Sequence, residues 1–253
     1  MKLNGKTKIA AAYILSVFSI LIIWLIAAAI INAPLILPYP KAVFLSLIKI
    51  LGKPFFWMGF LYTLKRCFIS FLITIFIGTI LGLICGFSSF FKSFIEIPVA
   101  FVRTTPVIAV ILVALFWFKS GTVPVFVSVL MTLPIMISSV VSGFNNFDEK
   151  LLEMAAVYEL NKKQIFWNIK LPAILPYFYN GIISCFGLTW KVVVAGEVLS
   201  LPDKGLGSIL QKAQVHLETE EVIAVALFMV FISFILEKIL MHFLSKKVGS
   251  YAR

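Results

Sequence analysis

Several charged residues lie inside long apolar stretches of this sequence, and three of them are the side chains best placed to do chemistry. Arg103, Lys191 and Glu197 stand in segments that are otherwise hydrophobic. A charge near the middle of a bilayer costs roughly 2.5–3.5 kcal/mol on insertion scales. Each of the three is therefore expected to face a partner or water. Such groups either pair inside a helix bundle or line a path for ions and polar solutes.

The sequence alone leaves two interpretations of these residues open. In the first, Arg103, Lys191 and Glu197 form a structural charge network that holds two spans together. In the second, Arg103 and Lys191 line a translocation path and lower the barrier for an anionic or polar substrate. Glu96 shares a helix face with Arg103, but about 10.5 Å of helix axis separates the two residues. We expect Glu197 to be the counter-charge of a basic residue on another helix.

Enzymatic chemistry has little support in the sequence. The two histidines, His216 and His242, stand alone, and the three cysteines have no metal-ligand spacing, which predicts buried thiols at Cys67, Cys85 and Cys185. A membrane-embedded enzyme would need clustered His, Asp or Glu. No G-x-x-x-x-G-K-[ST] phosphate loop occurs, so the chain cannot hydrolyse ATP by that route. We expect no catalytic residue, metal site or cofactor in this chain.

The composition predicts that a lipid bilayer surrounds this chain. Of its 253 residues, 61% are hydrophobic and only 13% are charged, which is too little polar surface for a water-soluble fold. The net charge of +11 would suggest nucleic acid in a soluble protein. In a membrane protein, basic loops instead meet anionic lipid and set topology. We therefore predict an all-α integral membrane protein that binds no nucleic acid.

Six apolar segments are long enough to cross the hydrocarbon core, which takes about 20 residues of helix. They predict spans near residues 9–31, 60–87, 94–118, 122–143, 172–199 and 222–244, within one membrane domain. The segment 32–59 is rich in proline and predicts a connection with one surface helix near Val43–Leu51. Gly78, Gly82 and Gly86 recur every four residues, a stripe suited to close packing within the subunit or at a dimer interface.

The distribution of Lys and Arg predicts the orientation of the chain. With the amino terminus inside, the cytoplasmic segments hold eleven of these residues and the external segments hold six. Cytoplasmic loops carry the excess of basic residues, so both termini are predicted in the cytoplasm of an inner-membrane protein. The loop 145–171 is then cytoplasmic, and the acidic run from Glu218 to Glu221 is external.

The loop 145–171 has the pattern of two short helices. Apolar residues recur at helical spacing at Leu151, Leu152, Ala155, Ala156 and Leu160. Asn161 is placed to cap a second short helix that runs through Ile169, and Pro172 is suited to begin the next span. The loop could simply lie at the membrane interface, as amphipathic helices often do.

The residue types in this loop resemble a known pattern, E-A-A-x3-G-x9-I-x-L-P, by which permeases of ABC importers hold their ATPase. The matching positions are Glu153, Ala155, Ile169, Leu171 and Pro172. Met154 replaces the first alanine, and Glu159 stands in place of the glycine. The resemblance implies that Glu153 orients the loop or contacts the ATPase, while Ala155 and Ala156 permit close helix approach. The family glycine implies a turn with positive φ, which would cost roughly 1 kcal/mol at Glu159 if the backbone is kept.

Further motifs resemble the nitrate/sulfonate/taurine branch of ABC importer permeases. They lie at Arg103–Pro106, Leu133–Pro134, Trp190–Glu197 and Gly205–Gly207. This resemblance implies a type I importer permease with six membrane helices, paired with a second permease copy or paralogue. It also implies two ATPase subunits that hold ATP and Mg, and an external substrate-binding protein. The implied cargo is a small polar or anionic solute of the nitrate, sulfonate, taurine or vitamin-precursor type.

An ion-coupled secondary transporter is the alternative from another functional class. It would use Arg103, Lys191 and Glu197 as a proton or ion relay. Secondary transporters are usually built from inverted repeats, and the sequence shows none.

Overall fold

The computed structural model describes residues 5–146 and 149–251, and every regular element within those ranges is helical. The α-helices are α1 (Gly5–Ile31), α2 (Pro40–Leu51), α3 (Pro54–Phe87), α4 (Ser89–Thr104), α5 (Val107–Ala114), α6 (Val123–Asn145), α7 (Glu149–Val157), α8 (Lys162–Ile165), α9 (Leu171–Ser200), α10 (Leu206–Val215) and α11 (Thr219–Tyr251). A π-helix, Phe166–Lys170, joins α8 to α9.

Four helical stretches in the described residues are long and apolar enough to cross a membrane. They are Pro54–Phe87, Val123–Asn145, Lys162–Ser200 and Thr219–Leu244, and a fifth is formed if α4 and α5 count as one broken span. The predicted spans 60–87, 122–143, 172–199 and 222–244 lie within these four stretches. The first predicted span, 9–31, lies in α1, whose segment Leu15–Ile31 is a shorter apolar helix. The total of six spans stays a prediction.

The third predicted span, 94–118, is not one straight helix. Its residues belong to α4 and α5, whose axes differ by 97°. Pro106 has no backbone N–H and disfavours helical geometry in the residue before it. Thr105 accordingly adopts an extended conformation, with φ −75° and ψ 128°, and α4 ends there. The sequence pattern indicated the apolar segment correctly but not this break.

Small residues let α3 and α6 pack closely. A Cβ atom at Gly78 would lie 2.6 Å from Cβ of Met136, and one at Gly82 would lie 2.6 Å from Cβ of Val140. Real Cβ atoms do not approach so closely, so these two positions require glycine. The glycine stripe therefore packs within the subunit, which settles the choice that the sequence left open.

One end of the bundle carries an additional helical layer. The predicted surface helix near Val43–Leu51 is present as α2, and α10 is a helix that the span prediction did not include. Val43 and Ile50 of α2 and Leu206 of α10 are buried with residues of α3, α9 and α11. This layer positions the loop between α9 and α10 against the ends of the membrane helices.

Candidate functional site

The turn after α7 keeps the left-handed backbone that a glycine would favour. Glu159 has φ +53°. Its N–H donates to the carbonyl oxygen of Ala156 at 3.1 Å, and the N–H of Leu160 donates to that of Ala155 at 3.0 Å. These two hydrogen bonds form a Schellman motif, with Glu159 at the position usually held by glycine. The structure therefore keeps the backbone that the glycine of the family pattern implies, with the strain on Glu159.

Glu159→Gly is expected to stabilise this turn by roughly 0.5–1 kcal/mol, because glycine adopts positive φ without the steric penalty of a Cβ atom. Hydrogen exchange at the amides of residues 159 and 160 should slow about two- to fivefold. Glu159→Ala is the matched control, since it removes the same carboxylate but keeps the Cβ atom. Equal protection in the two variants would show that the left-handed backbone carries no strain.

The second part of the loop begins with the predicted cap. Asn161 Oδ1 accepts from the Gln164 N–H at 2.9 Å, and Gln164 Oε1 accepts from the Asn161 N–H at 2.9 Å. This reciprocal pair is a capping box, and it fixes where α8 begins.

The helix that starts at this cap does not end at Ile169. The π-helix carries it into α9, so Lys162–Ser200 is one unbroken helical stretch of 39 residues. The N–H of Leu171 reaches back to the carbonyl of Phe166, five residues earlier. This wider turn accommodates Pro172, which lacks an N–H, in the second position of α9. The prediction of a separate short helix is therefore wrong, and the loop is instead continuous with a membrane helix.

The predicted coupling residues divide between the surface and the interior. Glu153 and Ala156 are exposed, whereas Ala155 is fully buried and Ile169 is 8% exposed. Ala155 therefore packs inside the subunit and is not available to a partner. Leu171 and Pro172 are half-buried at the start of α9.

α7 and the turn residue after it present an apolar surface, which we call the coupling patch: Leu151, Met154, Val157 and Tyr158. Val157 is 80% exposed and Tyr158 is 71% exposed. Large exposed apolar groups that cluster on one short helix are typical of a protein–protein contact. Only Leu151 of this patch belongs to the apolar face that the sequence pattern predicted for the helix, and Ala155 of that face is buried.

Glu197 is fully buried and forms an ion pair with Arg66 of α3. The distance from Arg66 Nη1 to Glu197 Oε1 is 2.6 Å. The prediction that Glu197 neutralises a basic residue on another helix is confirmed. Its partner was missed because α3 was expected to begin near residue 60, which left Arg66 near the end of the span. α3 begins at Pro54, so Arg66 lies more than three turns inside it.

The structure does not bring Arg103 or Lys191 to Glu197. Arg103 donates to the carbonyl oxygen of Pro134 at 3.2 Å and to the hydroxyl of Ser138, both on α6. It lines a cavity of about 330 Å³ with Lys92 and Glu96. The three residues of the predicted network are thus distributed over separate places.

Lys191 is exposed on α9. It lines a groove of about 550 Å³ between α9 and α11, in which Trp190 and Phe234 supply apolar walls and Glu237 a second charge. A lysine in such an apolar groove requires water or an anionic group nearby.

Comparison with known proteins decides the family of this chain. A family model described as binding-protein-dependent transport system inner membrane component matches residues 78–250. The chain belongs to this family. It is a permease subunit of an ABC importer, not an enzyme, and the members of its family work with a separate ATPase and a substrate-binding protein.

Two relatives illustrate the similarity. The chain is 24% identical over 221 residues to the taurine transport system permease protein TauC of Escherichia coli (strain K12), covering 85% of this chain and 80% of TauC. It is 29% identical over 222 residues to the nitrate import permease protein NrtB of Synechococcus elongatus, covering 83% and 78%.

Solved structures support the same fold. A chain of the MetNI methionine ABC transporter, crystallised in inward facing conformations, superposes with a TM-score of 0.63 at 17% identity. The superposition covers 80% of this chain and all of the MetNI chain. The fold is that of a type I importer permease. The secondary-transporter alternative is not favoured.

Proposed function

We propose that this permease, paired with a second copy or a paralogue, forms the membrane path for a small polar or anionic solute. Separate ATPase subunits, which carry ATP and Mg, drive the transport. The similarity to permeases named for taurine, nitrate and aliphatic sulfonates supports this solute class. All three names refer to small compounds that carry a negative group, and basic side chains in the membrane lower the barrier for such groups.

The positions of Arg103 and Lys191 support a role in that path. Glu197 already has its counter-charge in Arg66, so neither residue is needed to neutralise it. Lys191 instead faces an open groove that Glu237 also lines, and Arg103 borders a cavity with Lys92 and Glu96. Of the two interpretations that the sequence left open, we propose the translocation path.

The coupling patch is proposed to contact the ATPase. The observation that carries this proposal is the exposure of its apolar side chains on the loop. The patch lies on α7 and the turn after it, and this hydrogen-bonded turn at Glu159 joins α7 to the helix Lys162–Ser200. Movement imposed on the loop by the ATPase is therefore transmitted through this turn to a membrane-spanning helix. Glu153, exposed on the same short helix, supplies a polar contact beside the patch.

Both termini are proposed to lie in the cytoplasm, on the side of the coupling loop. Leu240 and Leu244, near the end of α11, pack in the same cluster as Ile174 and Phe178, near the start of α9. The end of α11 thus lies beside the coupling loop, and the excess of Lys and Arg places that side in the cytoplasm.

Reconstitution into proteoliposomes tests the proposed function. Vesicles with the permease, its ATPase and its binding protein are expected to accumulate labelled nitrate, taurine or an alkanesulfonate only when ATP and the binding protein are both present. Dissipating the proton gradient should leave the uptake rate unchanged. Uptake that proceeds without ATP and stops with the gradient would contradict the proposal and support the ion-coupled alternative.

A further inference from the structure

We propose that Glu197 is the positioning residue through which α9 moves α10, so that motion entering at the coupling patch reaches a cavity at the other end of the molecule. This inference rests on the proposed function, since it assumes that the ATPase moves α9. It concerns a buried carboxylate that the translocation path does not use.

The helical stretch Lys162–Ser200 connects the coupling loop to Glu197. Its first residues belong to the coupling loop, and Glu197 lies three residues before its last. At 1.5 Å per residue, about 50 Å of helix separates the two ends. A continuous helix of this length transmits a displacement of one end to the other.

The Glu197 carboxylate accepts from three donors, two of which lie on α3 and one on α10. Oε2 accepts from the Thr63 hydroxyl of α3 at 2.8 Å and from the Gly207 N–H of α10 at 3.0 Å. Oε1 accepts from Arg66 at 2.6 Å. The Thr63 oxygen in turn accepts from the Leu206 N–H at 2.8 Å. The first two residues of α10 are therefore attached to α3 through the Thr63 hydroxyl and to α9 through the Glu197 carboxylate.

Arg66 extends the same set of bonds to two further loops. It donates to the carbonyl oxygen of Lys204 at 2.7 Å and to that of Gly121 at 3.2 Å. The segment 201–208 is also braced internally, because the Ser208 hydroxyl donates to the Pro202 carbonyl oxygen at 2.7 Å. Because this internal bond makes the segment 201–208 rigid, the segment moves together with Glu197 and Arg66, the two side chains that bind it.

The turn fits the carboxylate so closely that side chains are excluded. A Cβ atom at Gly205 would lie 2.7 Å from Cδ of Glu197, and one at Gly207 would lie 2.6 Å from its Cβ. The glycines at these two positions allow the backbone of the turn to lie directly on Glu197. Any movement of Glu197 therefore displaces the turn.

α10 and its turn form one wall of a cavity of about 520 Å³. Ser208, Ile209 and Lys212 of α10 lie on this wall, and Phe55 and Met58 of α3 lie opposite. A shift of α10 at this turn, which Thr63 and Arg66 also hold on α3, changes the width of the cavity beside Phe55 and Met58. The buried carboxylate thus connects the coupling loop to a cavity at the far end of the permease.

Glu197→Gln tests the inference, because it keeps the shape and one acceptor but removes the charge that binds Arg66. In reconstituted complexes, binding of the ATPase and its basal hydrolysis should equal the wild type. Stimulation of hydrolysis by the loaded binding protein, and import of the cargo, should fall about tenfold. A purely structural residue would reduce assembly but leave stimulation per assembled complex unchanged. Full stimulation and import by an assembled Glu197→Gln complex would overturn the inference.

A second pair of variants decides the question if Glu197→Gln does not assemble. Thr63→Val removes the hydroxyl that joins Glu197 to α10, and Thr63→Ser retains it. The inference expects stimulation to be lost in the first variant and kept in the second. Equal stimulation in both, or failure of Thr63→Val to assemble with the ATPase, would overturn it. Failure of the proposed function is distinguishable, because wild-type vesicles would then show no ATP-dependent import.

Discussion

Val157→Asp is expected to weaken binding of the ATPase subunit about 100-fold and to reduce ATP-driven import to a similar extent. Val157 is the most exposed member of the coupling patch, at 80%. Covering a valine side chain contributes about 1.5–3 kcal/mol, which the substitution removes. An aspartate at the same place must also lose its hydration, which adds a further cost.

The measurement is the dissociation constant between the purified permease in nanodiscs and its ATPase, together with uptake in vesicles. Gln214→Asp is the matched control, because it adds the same charge at an exposed position of α10, away from the loop. The control should bind the ATPase as the wild type does. If Val157→Asp also binds normally, the coupling patch is not the contact surface.

Much of the coupling loop could be predicted from local sequence because its structure depends on neighbours in the chain. The capping box joins Asn161 to Gln164, only three residues away, and both residue types indicate it. The conformation of the turn at Glu159 could not be predicted from the identity of that residue. It depends on hydrogen bonds to the carbonyl oxygens of Ala155 and Ala156, which hold a non-glycine residue at positive φ.

The contacts at the other end of α9 could not be predicted in the same way. Arg66 and Glu197 are 131 positions apart, and no periodicity in either segment indicates which basic residue the carboxylate meets. The break at Pro106 has a local cause, but its 97° angle is set by how α4 and α5 pack on the rest of the bundle. α10 was missed because it is too short and too polar to resemble a span.

Arg66→Ala is expected to destabilise the permease by about 3–5 kcal/mol, because it leaves the fully buried Glu197 carboxylate without its cation. The Tm of the purified permease should fall by about 10 °C. The thiols of Cys67, Cys85 and Cys185 are buried, so a thiol-reactive fluorophore reports the unfolding.

Two further variants separate the loss of the ion pair from the loss of a positive charge alone. Lys65→Ala removes the neighbouring exposed lysine and should change the Tm by no more than about 2 °C. The double variant Arg66→Met/Glu197→Gln removes both charges and keeps an acceptor for the Gly207 N–H. It should recover most of the lost stability, because no uncompensated charge is then buried. Equal losses in Arg66→Ala and Lys65→Ala would show that the buried pair contributes no more than an exposed charge.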